Sequence, residues 1–412
     1  MKYDLCIIGG AGHVGLPLGV AFANKRVKTI LLDINKEWLE KIKNGEFPFK
    51  EENGDRELKK ALKGGYLYIS ENDPKTISQS RFVLIVIGTP IDEYLNPDFS
   101  GLMKIIENYY PYFKNGQILI LRSTVYPGTS KRIQLYFKER GKNIFVAFCP
   151  ERIIEGKAFE EFKNFPQIIS AFDKKTLNLT GKLFKKITNK EVFLNKPIEA
   201  ELAKLFCNTW RYIQFATANQ FFIIAEDQNL DYHKIYKAMI KDYPRMKHLP
   251  SPGFAAGPCL LKDTMQLSAF HSNRFFLGHS AMLINEGLPN YIINKLKQII
   301  IEKIISSGVP KNQAQENFKN RIIGILGMAF KADSDDFRDS LSYKLRKVAQ
   351  AEFKKVICHD VYIKDPSFYS LDKFLKRADI IILATPHKEY RKIKPAKYKN
   401  KIFIDVWDFW GE

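Results

Sequence analysis

The opening 33 residues constrain the fold more than any other stretch. Asp4 to Gly9 reads as a buried strand. Gly10-Ala11-Gly12-His13-Val14-Gly15 follows, then a helical pattern through Leu18, Val20, Ala21 and Phe22. A second strand, Thr29-Ile30-Leu31-Leu32, ends in Asp33. Strand, G-x-G-x-x-G, helix, strand and acid in that order form the dinucleotide fingerprint. Gly10 is expected to make the tight turn. Gly12 lets the backbone reach a pyrophosphate at the helix N-terminus, and Gly15 lets helix and strand pack closely. Asp33 is placed to bind ribose hydroxyls, which favours NAD over NADP because a 2′-phosphate would be repelled.

The α/β alternation continues. Phe82–Ile87 reads as a strand ending in Gly88-Thr89-Pro90, Gln117–Leu121 as one ending in Arg122-Ser123-Thr124, and Ile144–Phe148 as one ending in Cys149-Pro150-Glu151. Ligands of a parallel sheet sit outside the carboxyl ends of its strands, so Thr89, Thr124 and Glu151 are expected to face one crevice. A helix is expected to start near Asn195-Lys196-Pro197 and to run past Phe221, with Lys204 and Asn208 on one face. Its aromatics (Trp210, Tyr212, Phe215, Phe221, Phe222) suit a dimer seam or a thick core equally. A further helical stretch runs from about Ser280 to Ser307, where Pro289 should bend or split it. Arg321–Gly327 begins a second strand-and-glycine unit, with later strands at Lys355–Cys358, Ile380–Leu383 and Ile402–Ile404. Its first loop carries Lys331 and Arg338, cations suited to phosphate. The fold class is therefore α/β: two Rossmann-like, doubly wound parallel-sheet domains, residues 1–195 and 311–412, joined by a long helical domain, residues 196–310.

Composition narrows the function. No segment approaches the roughly 18 unbroken apolar residues of a membrane span, and Asp4 interrupts the first apolar run, unlike a signal peptide. The 5 cysteines show no C-x-x-C pairing. That pattern suits a reducing cytoplasm better than a disulfide framework or a zinc site, and no metal is expected. The formal charge is +20. Lysine is spread along the whole chain without an arginine-rich arm or stacking aromatics, which argues for a solvated surface over a nucleic-acid partner.

One loop stands apart, Pro252-Gly253-Phe254-Ala255-Ala256-Gly257-Pro258-Cys259-Leu260-Leu261-Lys262-Asp263. Small residues deliver a cysteine, and a lysine and a carboxylate follow as a helical pattern begins. A thiol at a helix start beside basic groups can hold a lowered pKa and act as a nucleophile. The alternative is a buried cysteine packed against a turn.

Together these motifs resemble the UDP-glucose and UDP-N-acetylhexosamine 6-dehydrogenase family over nearly the whole chain. The likeness lies in the glycine fingerprint, Gly88-Thr89-Pro90, Ser123–Thr129, Pro150–Gly156, Glu201–Asn208, the cysteine loop, and Phe330-Lys331 through Arg338. It implies a C6 alcohol of a UDP-sugar oxidised to a carboxylate with two hydrides passed to NAD. It implies Cys259 as nucleophile through a thiohemiacetal and a thioester, and Lys204 and Asn208 as oxyanion stabilisers. Asp263 and Thr124 would hold water or relay a proton, and Glu151 would act as general base, with Glu155 one turn on. The resemblance also implies cofactor contacts from Gly10, Gly12, His13, Val14, Gly15, Asp33, Thr89, Thr124, Glu155, Lys262 and Arg338. Substrate contacts would come from Glu151, Arg152, Glu155, Lys204, Asn208, Phe254, Gly257 and Lys331. Arg245 would reach the neighbouring subunit's substrate site in a homodimer, and the product would serve polysaccharide synthesis.

There are departures. Ala255, Ala256 and Pro258 stand where the glucose branch carries more glycines and a serine. Gln220 follows Asn219 where the family often has Glu. Glu151-Arg152 and Tyr243-Pro244-Arg245 look more like the N-acetylhexosamine branch, where Arg152 would face the acetamido group. A UDP-N-acetylhexosamine is the expected substrate, with UDP-glucose second and GDP-mannose more distant. A non-catalytic nucleotide-sugar-binding protein predicts a broken catalytic set, yet Cys259, Lys204, Asn208, Asp263 and Thr124 are all present.

Overall fold

A computed structural model describes residues 1–89, 92, 100–254, 257 and 259–411. Pro90, Ala255, Ala256 and Pro258, singled out by sequence, lie outside the described residues. The chain divides into two units: Met1–Cys207 with Ala269–Asn273, and Asn208–Ser268 with Arg274–Glu412.

The first unit is built on strands β1 (Tyr3–Ile8), β2 (Thr29–Asp33), β3 (Leu67–Glu71), β4 (Ser80–Ile85), β5 (Ile118–Leu121), β6 (Phe145–Phe148), β7 (Gln167–Ala171) and β8 (Glu191–Leu194). They form one sheet in the order β3-β2-β1-β4-β5-β6-β7-β8. The strand order reverses beside β1, at the glycine loop, which is where doubly wound sheets hold ligands. From Leu5 on, β1 alternates its side chains between two cores: Leu5 and Ile7 enter one, and Cys6 and Ile8 the other. Burial on both faces explains its near-continuous apolar sequence. All pairings are parallel except β6 with β7, which is antiparallel. The expected parallel sheet is thus parallel from β3 to β6, and the chain turns back for β7 and β8.

The second unit holds β9 (Ile322–Leu326), β10 (Lys355–His359), β11 (Ile380–Leu383) and β12 (Ile402–Ile404), all parallel, in the order β10-β9-β11-β12. Its helices include Tyr232–Ile240, Leu260–Phe270 and Phe276–Ser306. Pro289 does not split the last of these, which is one continuous helix. Leu288, Ile292, Ile293 and Leu296 are buried around the missing N–H, and their packing offsets the lost hydrogen bond.

The helix Pro197–Asp227 starts in the first unit and ends in the second. Proline at its first position gives up only an N–H that would be orphaned anyway. Its aromatics divide between faces: Tyr212 and Phe222 are buried, whereas Trp210 and Phe221 are exposed. Among the described residues no helix is long and apolar enough to cross a membrane.

Candidate active site

The first unit builds a dinucleotide cradle. Gly9, not Gly10, makes the turn, with φ +80°. Gly10 instead packs against β2, where a Cβ would lie 2.9 Å from Leu31 Cα. A Cβ on Gly15 would lie 2.3 Å from the Gly9 carbonyl oxygen, so both positions exclude any larger residue. At Gly12 the nearest atom to such a Cβ is 3.6 Å away, which leaves that backbone open to a pyrophosphate. The helix Gly15–Ala23, preceded by Val14, has no side-chain cap and no acid in its first turn. In its first turn Leu16 N donates to Gly12 O, Leu18 N donates to Val14 O and Pro17 has no N–H, so Gly15 N is the first-turn donor left for an anion. Asp33 Oδ2 accepts from Ala11 N at 2.9 Å and Oδ1 from Asn35 N at 3.0 Å, fixing the carboxylate at the end of β2. The His13 ring lies 4.0 Å from that of Phe49, in an aromatic cluster with Trp38. These residues fit NAD.

The ends of β4, β5 and β6 are tied together. Thr89 Oγ1 donates to the Thr124 carbonyl at 2.6 Å, and Ile87 N donates to Ser123 Oγ at 2.9 Å. Glu151 is held firmly. Its Oε2 accepts from Arg122 Nε at 2.8 Å and from Arg122 Nη2, and its Oε1 accepts from the amides of Arg152 (2.7 Å) and Ile153 (2.9 Å). Arg122 is fully buried and also donates to the Cys149 carbonyl and to Gln167 Oε1. The loop beyond is stapled by further carboxylates. Glu161 accepts from Ile154 N, and Glu51 accepts from Gly156 N and Ala158 N. The Arg152 guanidinium turns back to the Pro166 carbonyl. Glu155 lies half-buried in the stapled loop.

The start of the helix Pro197–Asp227 is anchored by Glu201. This carboxylate sits at the N-terminus of the helix Thr129–Glu139, accepting from Gly128 N (2.6 Å), Ser130 N (2.9 Å) and Ser130 Oγ (2.6 Å). Burial pushes its pKa above the usual carboxylate range despite those donors. Lys204, almost one turn further on, is buried, 8% exposed. It forms no hydrogen bond or ion pair among the described residues. Lysines are rarely this buried unless paired, so the position is a candidate for function.

In the second unit, Cys259 stands at the start of the helix Leu260–Phe270, where its carbonyl accepts from Asp263 N at 2.9 Å. The helix dipole there favours a thiolate. The remaining cysteines separate by environment. Cys6, Cys149 and Cys358 are buried, and burial raises their thiol pKa values to about 12, about 12 and about 11. Cys207 and Cys259 are exposed. Asp263 is fully buried, and its Oδ2 accepts from Asn208 Nδ2 at 2.6 Å. Its Oδ1 has no hydrogen bond, and Lys262 Nζ lies 3.7 Å from it.

Gly253 and Gly257 of the cysteine loop are held by partners that sequence reading did not assign to them. Asn219 exchanges two hydrogen bonds with Gly253, of 3.0 and 2.8 Å, and also binds Asn285. Gly253 presses on Trp407, whose ring would lie 2.3 Å from any Cβ there. Gly257, at φ +110°, packs on Phe330 with a corresponding distance of 2.4 Å, and its N–H donates to Asp339 O. Phe254 between them is buried. The motif pattern carried the two glycines, but their partners stand far along the chain. Lys331 is half-buried beside Phe330, and exposed Arg338 pairs with Asp336 through Nε at 3.0 Å. Arg245 is exposed in the short turn Pro244–Met246.

A glycine-loop cradle of this kind defines a dinucleotide-binding domain. The chain belongs to the UDP-glucose/GDP-mannose dehydrogenase family: its NAD-binding domain matches residues 3–188, its central domain 198–286 and its UDP-binding domain 324–412. It is an NAD-dependent nucleotide-sugar dehydrogenase. Relatives include the UDP-N-acetyl-D-mannosamine dehydrogenase of Pyrococcus horikoshii, 29% identical over 96% of this chain and 93% of that protein. The Yersinia pestis enzyme of the same name is 25% identical over 100% of both chains. Among solved structures, the Pyrococcus horikoshii UDP-D-ManNAc dehydrogenase superposes with a TM-score of 0.87 at 27% identity, covering 98% of this chain and 96% of that one. A UDP-glucose dehydrogenase from Pyrobaculum islandicum, at 23% identity and a TM-score of 0.82 over 99% of this chain and 98% of that one, shares the fold.

Proposed function

We propose that this enzyme oxidises the C6 alcohol of a UDP-N-acetylhexosamine to the uronic acid through covalent attachment to Cys259. NAD, when bound, accepts a hydride in each of two oxidations. In the first, the alcohol loses a proton and a hydride and becomes an aldehyde. The Cys259 thiolate then adds to that aldehyde, forming a C–S bond and a hemithioacetal alkoxide that takes up a proton. Loss of that proton and a second hydride gives a thioester. Water attacks the thioester carbonyl, the C–S bond breaks, and the thiolate is regenerated with the carboxylate. The observation that carries this reading is the exposed thiol at a helix N-terminus, one turn before a buried Asp263 held by Asn208.

Lys204 and Asn208 stabilise the oxyanions, one as a buried charge and the other as an amide donor on the same helix. Asp263 relays protons through its Oδ1, with Thr124 holding the water. We assign Glu151 to anchoring rather than to base work, because both of its oxygens already accept from Arg122 and from backbone amides. Thr89, Glu155, Lys262 and Arg338 contact the cofactor, and Arg152, Phe254, Gly257 and Lys331 the substrate. The relatives' names favour UDP-N-acetyl-D-mannosamine as the first sugar to test. The acid product suits polysaccharide assembly. The enzyme works as a homodimer, with Arg245 reaching the partner's substrate.

Cys259→Ser tests the covalent step. The variant is expected to release aldehyde slowly and to form no acid, while the parent makes two NADH per sugar. Normal acid yield from the variant would defeat the assignment. Faster turnover of UDP-glucose than of every N-acetylated UDP-sugar would move the substrate to the glucose branch.

A further inference from the structure

The second unit repeats the nucleotide-binding plan of the first and changes its acid. In the first unit Asp33 ends β2 beside β1, accepts from the glycine loop and stays partly accessible. The corresponding acid in the second unit is Asp360, just beyond β10 and beside β9. It is buried, and both oxygens are filled. Oδ2 accepts from Met328 N (2.6 Å), Ala329 N (3.1 Å) and His387 Nε2 (3.1 Å), and Oδ1 from Tyr362 N (2.7 Å) and Ile363 N (2.9 Å). A carboxylate so occupied has no lone pair left for a ribose.

His387 is fully buried. Its Nδ1 accepts from Asp333 N at 2.9 Å, so the ring proton sits on Nε2 and points at Asp360. Asp333, in the left-handed region at φ +58°, returns a bond by accepting from Lys388 N at 3.0 Å. The same segment grips the loop elsewhere, since Thr385 Oγ1 donates to the Ala329 carbonyl at 2.6 Å. A Cβ on Gly327 would lie 2.4 Å from the Thr385 carbonyl oxygen, so no larger residue fits between them. Residues 327–333 are thus fixed at both ends by Asp360 and His387. Lys331 stands inside that span, and Phe330 is the surface on which Gly257 of the cysteine loop rests.

We propose that Asp360 and His387 are positioning residues that hold the Lys331 loop for the diphosphate of the UDP-sugar. The acid that reads ribose in the first unit here serves as a bracket. This rests on the reading of Lys331 as a substrate contact. The role needs no titration: the imidazole serves as a rigid two-ended link, an acceptor toward Asp333 and a donor toward Asp360.

The test is calorimetric binding of UDP and, separately, of NAD to the full-length protein and to its Lys331→Ala, His387→Ala, His387→Gln and Asp360→Asn variants. His387→Ala is expected to weaken UDP about tenfold, the loss of roughly one charge-assisted hydrogen bond. NAD affinity should stay within about twofold, a change of under half a kcal/mol. His387→Gln keeps a donor for Asp360 and should recover most of the UDP affinity. UDP binding lost in Lys331→Ala but intact in folded His387→Ala and Asp360→Asn would overturn this proposal alone. UDP and NAD weakening in parallel would overturn it too, because that marks general destabilisation. UDP bound by Lys331→Ala as by the parent would instead overturn the reading of the loop as the substrate site.

Discussion

At the scale of single residues, charge burial separates anchors from actors. Arg122 and Glu201 are as buried as Lys204, but each is saturated by partners. Such groups hold backbone in place, and removing one side of a buried pair leaves a stranded charge that costs about 3–5 kcal/mol. Lys204 has no such partner among the described residues, so no structural bond is lost with its ammonium. Lys204→Met should therefore leave the melting temperature unchanged or raised. It should lower kcat by roughly 100- to 1,000-fold, the usual loss for one oxyanion donor. Scanning calorimetry beside steady-state NADH production checks both. A large drop in melting temperature with kcat nearly intact would make Lys204 a structural residue. Of these residues, Lys204 was legible in sequence through its motif. Arg122 was not, because an arginine at a strand end carries no local sign of burial, and its partners lie 29 and 45 positions away.

At the scale of elements, the strands around the glycine loop were readable because burial on both faces forces apolar runs. β3, β7 and β8 were missed. β3 and β8 are the outer strands of their sheet, and their half-exposed residues interrupt any periodic signal. β7 follows an antiparallel turn-back that the regular α/β rhythm does not predict. The cysteine loop was readable as chemistry but not as architecture. Gly253 and Gly257 are held by Asn219, Trp407 and Phe330, contacts set by tertiary packing. Gly257→Ala tests that hold. The substitution forces a side chain into φ +110° and onto Phe330, each costing about 1–3 kcal/mol. The expected result is a fall in kcat/KM of at least about tenfold in a protein that still folds and still binds NAD. Unchanged kcat/KM would show that the loop tolerates the clash and is not positioned by it.

At the scale of the whole molecule, the +20 charge keeps the surface strongly hydrated. The long helix Pro197–Asp227 nonetheless exposes Phe206, Trp210, Phe221 and Ile224 along one face. Exposed apolar stripes of this extent mark association surfaces, which supports the proposed homodimer. Trp210→Glu should shift the protein from dimer to monomer in light scattering at micromolar concentration. A wild-type monomer under the same conditions would exclude that seam.

The uneven cysteine environments have a practical side. Three of the 5 thiols are buried and held protonated to near pH 11 or above, which leaves Cys207 and Cys259 accessible to mild alkylating reagents. With Cys207 replaced by serine, a single dye would mark Cys259 alone. Its labelling rate would then report, in real time, whether the thiol is open, shielded by sugar or consumed as thioester.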